Sequence, residues 1–347
     1  MGTDTATKHH DVSHRVWEWA RQLPPGTRLP GVHLLAGQFD ANFKTVNKAV
    51  QTLVRQGALH RRNGQGTFVS PPNCRFGTRA GQVGLCFPAG DNPWFLDFMQ
   101  DVLRACRQRN LAPCPCVTLS SARVEQTFLE ALHCQGGKLL LRFPNSLDAE
   151  QTTCEQAARL DIRTVMLNDF WHGGRGLPHV LVDERIGVRL AVEHLLALGH
   201  RRIAFCDYRR EVRHTALDSY RQTLAAAGVA GVPEHAILDD PERFAARLVE
   251  LRGAAEPPTA AVFTFDMHAD DTSRRLGAMG VRIPQDLSVV GFDDASSVAR
   301  APVPLTTVRQ PRDAMVRAAL DLLLSDRNET VVLAPELVVR ESTGSLT

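Results

Sequence analysis

The spacing of apolar and polar positions changes character once along this chain. Over residues 12–69 it has the period of helices and then of a hairpin. From Gln82 onward, apolar runs of strand length alternate with amphipathic helical segments. In the first stretch, Val12, Val16, Trp19 and Ala20 fall near one face of a helix over residues 12–22. A turn with two prolines, a short helix (Val32–Gln38), a second turn and a longer helix (Asn42–Gln56) follow. The longer helix gathers Val46, Ala49, Val50, Leu53 and Val54 on one face, with Asn42 as candidate N-cap and Gly57 as its stop. Leu59, Arg61 and then Thr67, Val69 alternate as two strands joined by Asn63-Gly64-Gln65-Gly66, where turn glycines suit a tight hairpin.

Helix, turn, helix and hairpin predict a winged helix-turn-helix, whose second helix enters a DNA major groove with its N-terminal residues nearest the bases. Its outer face carries Phe43, Lys44, Thr45, Asn47 and Lys48: cations for phosphate, with Thr and Asn able to bond base edges. Arg61, Arg62 and Gln65 sit on or beside the wing. Charge distribution sharpens this picture. The whole chain carries only +2, but residues 1–75 hold 10 Lys/Arg against 4 Asp/Glu, and the remainder 30 against 34. The positive charge lies on the segment expected to meet phosphate, which supplies most sequence-independent affinity.

This segment resembles a known family. LPPGTRLPG, LLAGQF, TVNKAV, the L-x-x-QG spacing and RRNGQGTFV look like the winged-helix domain of the gluconate-repressor-like (GntR) transcription regulators, over about residues 12–70. The resemblance implies double-stranded operator DNA as a partner and adds Arg28, His33, Asn42 and Gly66 to the candidate contacts. Family members commonly carry Ser where this chain has Gly31, Arg at His33, and Ser-Arg at Asn42-Phe43.

After the Pro- and Gly-rich run 71–81, read as a linker, the pattern predicts α/β architecture. VGLCFP, PCVTL, KLLLRF, TVMLND, VLVD, RIAFCD, AILD, AAVFTF, LSVVGF and a closing VLAPELVVRES read as strands with helices between them, the pattern of parallel sheets covered by helices. So many strands fit two linked lobes better than one sheet. The expected division is a DNA-binding domain over 1–70 and an effector and dimerisation domain over 82–347. Within the latter, lobe 1 takes about 82–182 and 299–334, and lobe 2 about 183–298 and 335–347.

VGLCFPAGDNPWF, VLVDERIGVRLAVEHLLALGHRRIAF, RRLGAMGVRIPQDLSVVGFDD, PLTTVRQP and ELVVRESTG resemble the effector-binding core of the lactose/galactose-repressor family, which shares its fold with periplasmic sugar-binding proteins. A winged helix joined to such a core is similar to regulators of the arabinose-repressor type. The resemblance implies a homodimer with a sugar-like small-molecule effector between the lobes. By motif position the candidate effector residues are Asn92, Trp94, Phe95, Arg142, Asn168, Asp169 and Asp293. Two departures stand out: the family's gripping arginine aligns with Ala216, with Arg213 one turn earlier, and its Asn-Asp reads Phe265-Asp266.

Other chemistry is excluded or weak. The chain has no GxSxG elbow, Walker-type loop or HExxH motif, so no enzyme and no cofactor are expected. The eight cysteines contain no CxxC pair, Cys114-Pro-Cys116 being the closest spacing, and no metal site is expected. His200 is read as a helix-end residue near the C-terminal dipole. No apolar run approaches the ~20 residues of a membrane span. The polar start MGTDTATKHHD lacks a signal-peptide core, so a cytoplasmic protein is expected.

Overall fold

The computed structural model describes residues 12–13, 15–20, 22–24, 26–55, 59–62, 64–69, 81–88, 92–144, 147–168, 176–208, 215–230 and 235–346, without the side chains of 147–151. The linker over 71–80, the helix stop at Gly57 and the candidate residues Asp169 and Arg213 lie outside the described residues. The chain divides into two compact units.

In the first unit, α1 (residues 15–20), α2 (Val32–Gln38) and α3 (Phe43–Arg55) are followed by β1 (Leu59–Arg62) and β2 (Gly66–Val69). Val16, Leu35, Val46, Ala49, Val50, Leu53 and Leu59 form one buried core, the face expected from helical spacing. The strands pair antiparallel, Leu59 opposite Val69 and Arg62 opposite Gly66. The segment before α2 joins them: Arg28 bridges to Phe68, and the Leu29 N–H donates to the Thr67 carbonyl at 2.8 Å.

Apart from Gln82, Ala112 and residues 131–134, which group with the first unit, the second unit runs β3 (Gln82–Phe87), α4 (Pro93–Gln108), β4 (Ala112–Val117), α5 (Ala122–Cys134), β5 (Leu139–Arg142), α6 (Leu147–Arg159), β6 (Arg163–Leu167) and β7 (His179–Val182). It continues through α7 (Glu184–Ala197), β8 (Ile203–Asp207), α8 (Thr215–Ala226), β9 (Ala236–Leu238), α9 (Phe244–Arg252), β10 (Ala260–Phe263), α10 (Asp266–Ala278) and β11 (Ser288–Asp293). β12 (Thr306–Arg309), α11 (Arg312–Leu323), β13 (Thr330–Leu333) and β14 (Glu336–Val338) complete it. One sheet has the order β13-β7-β6-β5-β3-β4 and defines lobe 1; the other has the order β14-β12-β11-β10-β8-β9 and defines lobe 2. Strand residues of lobe 2 alternate between two cores. Ala204, Cys206, Ala261, Phe263 and Val289 face one side with α9 and α10; Ile203, Phe205, Ala260, Val262 and Val290 face the other with α7 and α8. Burial on both faces explains the uninterrupted apolar runs.

Three expectations need correction. β12 pairs with β11 and β14, so residues from 299 through Arg309 belong to lobe 2, and the chain returns to lobe 1 only at α11, which packs on β5, β6 and β7. The closing strand VLAPELVVRES is two strands in two sheets, broken at Ala334-Pro335, where proline has no N–H to give a ladder. The PCVTL strand begins earlier, at Ala112, and tolerates Pro113 and Pro115 because β4 is an edge strand. Lobe 1 and lobe 2 are thus joined by three crossings, after β7, β12 and β13.

Candidate functional site

The first unit presents its candidate residues outward. The Asn42 side chain accepts from the Lys44 N–H at 2.8 Å, the capping bond expected of it, so α3 itself begins at Phe43. Phe43 is 40% exposed and stacks on His33 of α2, ring centroids 4.3 Å apart and planes at 21°. The two positions that lack the family's arginines therefore form one aromatic plate. Lys44 and Lys48 are exposed one turn apart, a like-charge arrangement that an anion relieves. Thr45 and Asn47 are half-buried beside them.

The wing adds Arg61 and Arg62, both exposed, the Arg62 guanidinium lying 5.0 Å over the Phe68 ring. Gln65 is exposed at the turn, its N–H donating to the Arg62 carbonyl at 2.9 Å. Gly66 is favoured by its backbone, with the flexible Arg28 side chain nearest to it. Its φ is +114°, and an added Cβ would stand 3.0 Å from Nε of Arg28. A groove of about 380 Å³ runs between wing and helices, lined by Arg28, Arg61 and Arg62 above Val32, Leu35 and Val50. Three guanidiniums and two ammoniums on one small unit suit a polyanion.

The second unit treats its candidates differently. Arg142, expected to grip a ligand, is 1% exposed and forms an ion pair with fully buried Glu125 of α5. Its Nη2 also donates to Glu125 at 3.1 Å, and its Nη1 meets the Cys154 and Met166 sulfurs at 3.7 Å. It is a core ion pair of lobe 1, because α5 and α6 close over the end of β5. Trp94 is 3% exposed and packs on Phe98, centroids 5.2 Å apart at 19°, and on Phe143. Its indole N–H is buried with no acceptor among the described residues. Phe95 is half-buried on the same cluster, 5.0 Å from Phe143. Asn92 caps α4, accepting from the Trp94 N–H at 2.9 Å.

Asn168 and Asp293 come together, through a residue the sequence reading missed. Asn168 donates to Gln310 at 2.7 Å, and Gln310 donates to Asp293 at 2.7 Å. This relay runs from the end of β6 in lobe 1, through the crossing after β12, to the end of β11 in lobe 2. Asn168 also accepts from the Val182 N–H at 3.0 Å, beside the first crossing. Both ends hold left-handed backbone, φ 45° at Asn168 and 126° at Asp293, a strain concentrated where the lobes join. The motif PLTTVRQP contained Gln310, but no spacing rule marked it as a bridge. A second tie was also missed. Asp97 of α4 accepts from the N–H and hydroxyl of Ser296 in lobe 2 at 2.8 and 2.9 Å. Arg312 bonds Asp101 at 3.0 Å and the Asp294 carbonyl at 3.3 Å.

Asp266 lies wholly inside lobe 2, not at its edge. It accepts from the Thr307 hydroxyl at 2.6 Å and the Ala295 N–H at 2.9 Å. Burial raises its pKa to about 7, the two hydrogen bonds opposing that rise. Gly291 makes room for it; an added Cβ would collide with the carboxyl. Asp294, by contrast, is held below the usual carboxylate range: burial pushes it up, but hydrogen bonds from Arg340 and Arg309 outweigh burial. Phe265, next to Asp266, contacts Tyr208 and His268 at 5.3 and 5.5 Å, a ring cluster whose other members had not been singled out. His200 stands just past the end of α7, its backbone N–H donating to the Leu195 carbonyl at 3.0 Å, and its ring is tied to neighbouring groups. One ring nitrogen donates to the Gly344 carbonyl at 3.0 Å, the other accepts from the Thr259 hydroxyl at 2.9 Å, and burial lowers its pKa. Among the described residues no helix is long and apolar enough to cross a membrane.

Comparison with known proteins gives two family matches: the bacterial regulatory proteins of the gntR family over residues 15–69, and a periplasmic binding protein-like domain over residues 192–343. An HTH-type transcriptional regulator in the aml 5′ region of Streptomyces limosus is 35% identical over 287 residues, 76% of this chain and 79% of the relative. The arabinose metabolism transcriptional repressor of Geobacillus stearothermophilus is 27% identical over 375 residues, the full length of both chains. Among solved structures, a LacI transcriptional regulator from a Rhodococcus species is 26% identical with a TM-score of 0.65, covering 76% of this chain and 98% of that one.

Proposed function

Because the chain belongs to the HTH-type transcriptional regulators, here joining a gntR-family domain to a periplasmic binding protein-like domain, we propose that it is a homodimeric, ligand-responsive repressor. Two winged helices read two half-sites of operator DNA, since a two-fold protein matches a two-fold site. A small molecule binds between the lobes of the second unit, and its binding is linked to operator affinity by a common factor. The protein works by binding, without catalysis, in the cytoplasm with the DNA it reads.

The observation that carries this reading is the outward face of α3 and the wing: Lys44, Lys48, Arg61 and Arg62 are all exposed on one small unit. The His33–Phe43 plate offers the apolar edge that meets a thymine methyl group. In the cleft, Asn168, Gln310 and Asp293 form the junction whose rearrangement couples ligand to lobe closure. Phe95, Phe265 and Asp293 remain the effector contacts of this reading, along with Asp169 and Arg213.

The test is the salt dependence of DNA binding. Replacing Lys44 and Lys48 by Ala should weaken binding to any duplex and lower the slope of log affinity against log salt by about two units, roughly 0.9 per phosphate contact. An unchanged slope would instead favour a ligand-binding protein whose N-terminal unit serves only in association.

A further inference from the structure

We propose that the effector is a neutral molecule bearing a flat aromatic ring, and that Tyr208, Phe265 and His268 are the residues selecting it. The proposal rests on the reading of the cleft as the effector site. β8 and β10 are parallel neighbours, Phe263 standing opposite Cys206. Their C-terminal ends deliver Tyr208 and Phe265 side by side, ring centroids 5.3 Å apart. His268, in the first turn of α10, stands edge-on to Tyr208 at 5.1 Å and lies 5.5 Å from Phe265. In an open α/β sheet, ligands are met at this end of the strands.

The cluster is not sealed away. Tyr208 is 44% exposed, and Phe265 and His268 are half-buried. Rings partly exposed at the ligand end of a sheet favour a partner that covers them with a flat apolar face. Lobe 1 offers a counterpart at the ends of β3 and β5, where half-buried Phe95 rests on Phe143 at 5.0 Å. Both lobes thus bring rings to the strand ends.

Charge decides the rest. Arg142, Arg309 and Arg312 are each already paired with carboxylates. An anionic ligand held by any of these three would have to break such a pair. Asp266, which follows Phe265, is turned inward to Thr307 and Ala295. What the junction offers is the amide relay of Asn168 and Gln310 ending on Asp293, suited to neutral hydroxyl or amide groups.

The experiment measures binding of the full chain by calorimetry and thermal shift to five probes. Adenosine and 4-nitrophenyl β-glucoside carry a flat ring; ribose and glucose are the same sugars without it; AMP adds a phosphate to adenosine. At least one of the first two should bind about tenfold or more tighter than its plain sugar, with AMP weaker than adenosine. Phe265→Asn should cost that probe about tenfold, as expected for one stacked ring. Exposed Tyr208→Ala serves the same end should the Phe265 variant fold poorly. Equal or tighter binding of the plain sugar, preference for AMP, or affinity unchanged in both variants overturns the proposal. So does the absence of binding by both ring-bearing probes. If ribose or glucose then still binds, the cleft remains an effector site and only its ligand class is wrong. If no probe binds, the effector reading falls with it.

Discussion

The two units use polar side chains in opposite ways. In the winged unit, the candidate residues sit on the surface of a core they do not help to build: Lys44, Lys48, Arg61 and Arg62 are exposed, while Val46, Ala49 and Val50 hold the fold. In the two-lobed unit, the polar residues singled out by motif are mostly interior. Arg142, Asn168, Asp266 and Asp293 are all buried and all bonded to other side chains. A DNA-reading surface must be open to a polyanion, so its cations stand outside the core. Of these four, Asn168 and Asp293 stand at the junction, where the same atoms that could meet a ligand also hold the lobes together, while Arg142 and Asp266 are tied up within single lobes.

The largest effect should come from the buried ion pair. Arg142→Ala takes from the buried Glu125 its guanidinium partner in the core, a change expected to cost about 3–5 kcal/mol in denaturant unfolding. Full stability together with a lost ligand response would return Arg142 to the ligand set and break the contrast drawn above.

Asp266 gives a pH signature of the same interior character. Its folded pKa of about 7 lies above the ordinary carboxylate value of 3.8, so the folded state holds the proton more tightly. Stability is therefore favoured below about pH 4, declines as pH rises to about 7 and is level above that. The decline is on the order of 4 kcal/mol at most, from a gap of about 3 between the two values at about 1.4 kcal/mol per pKa unit. Asp266→Asn should remove this component from melting temperatures recorded between pH 4 and 8. A variant retaining the full slope would show that another group titrates.

The smallest effect belongs to the winged unit. Asn42→Ala removes the cap of α3 and should cost about 1 kcal/mol of local stability, read by hydrogen exchange in that helix. Thermal unfolding of the two-lobed unit should be unmoved. A shift there of similar size would mean that the units do not behave as independently as their cores suggest.

Much of this was legible before any coordinates. Helical spacing of Val46, Ala49, Val50 and Leu53 placed one face of α3 in the core, and thereby Lys44 and Lys48 outside it. Asn42 as a cap and Gly66 in a turn follow from local backbone chemistry, which depends only on near neighbours in sequence. Apolar runs without alternation announced sheets buried on both faces. Four decisions belonged to the tertiary structure. β12 joined lobe 2, Arg142 turned to Glu125, Gln310 bridged Asn168 and Asp293, and Tyr208 met Phe265 and His268. Each depends on residues 17 to 142 positions apart or on which of two sheets a strand enters. Periodicity tells which face of an element is buried, but not what it is buried against; that is settled only when the elements pack.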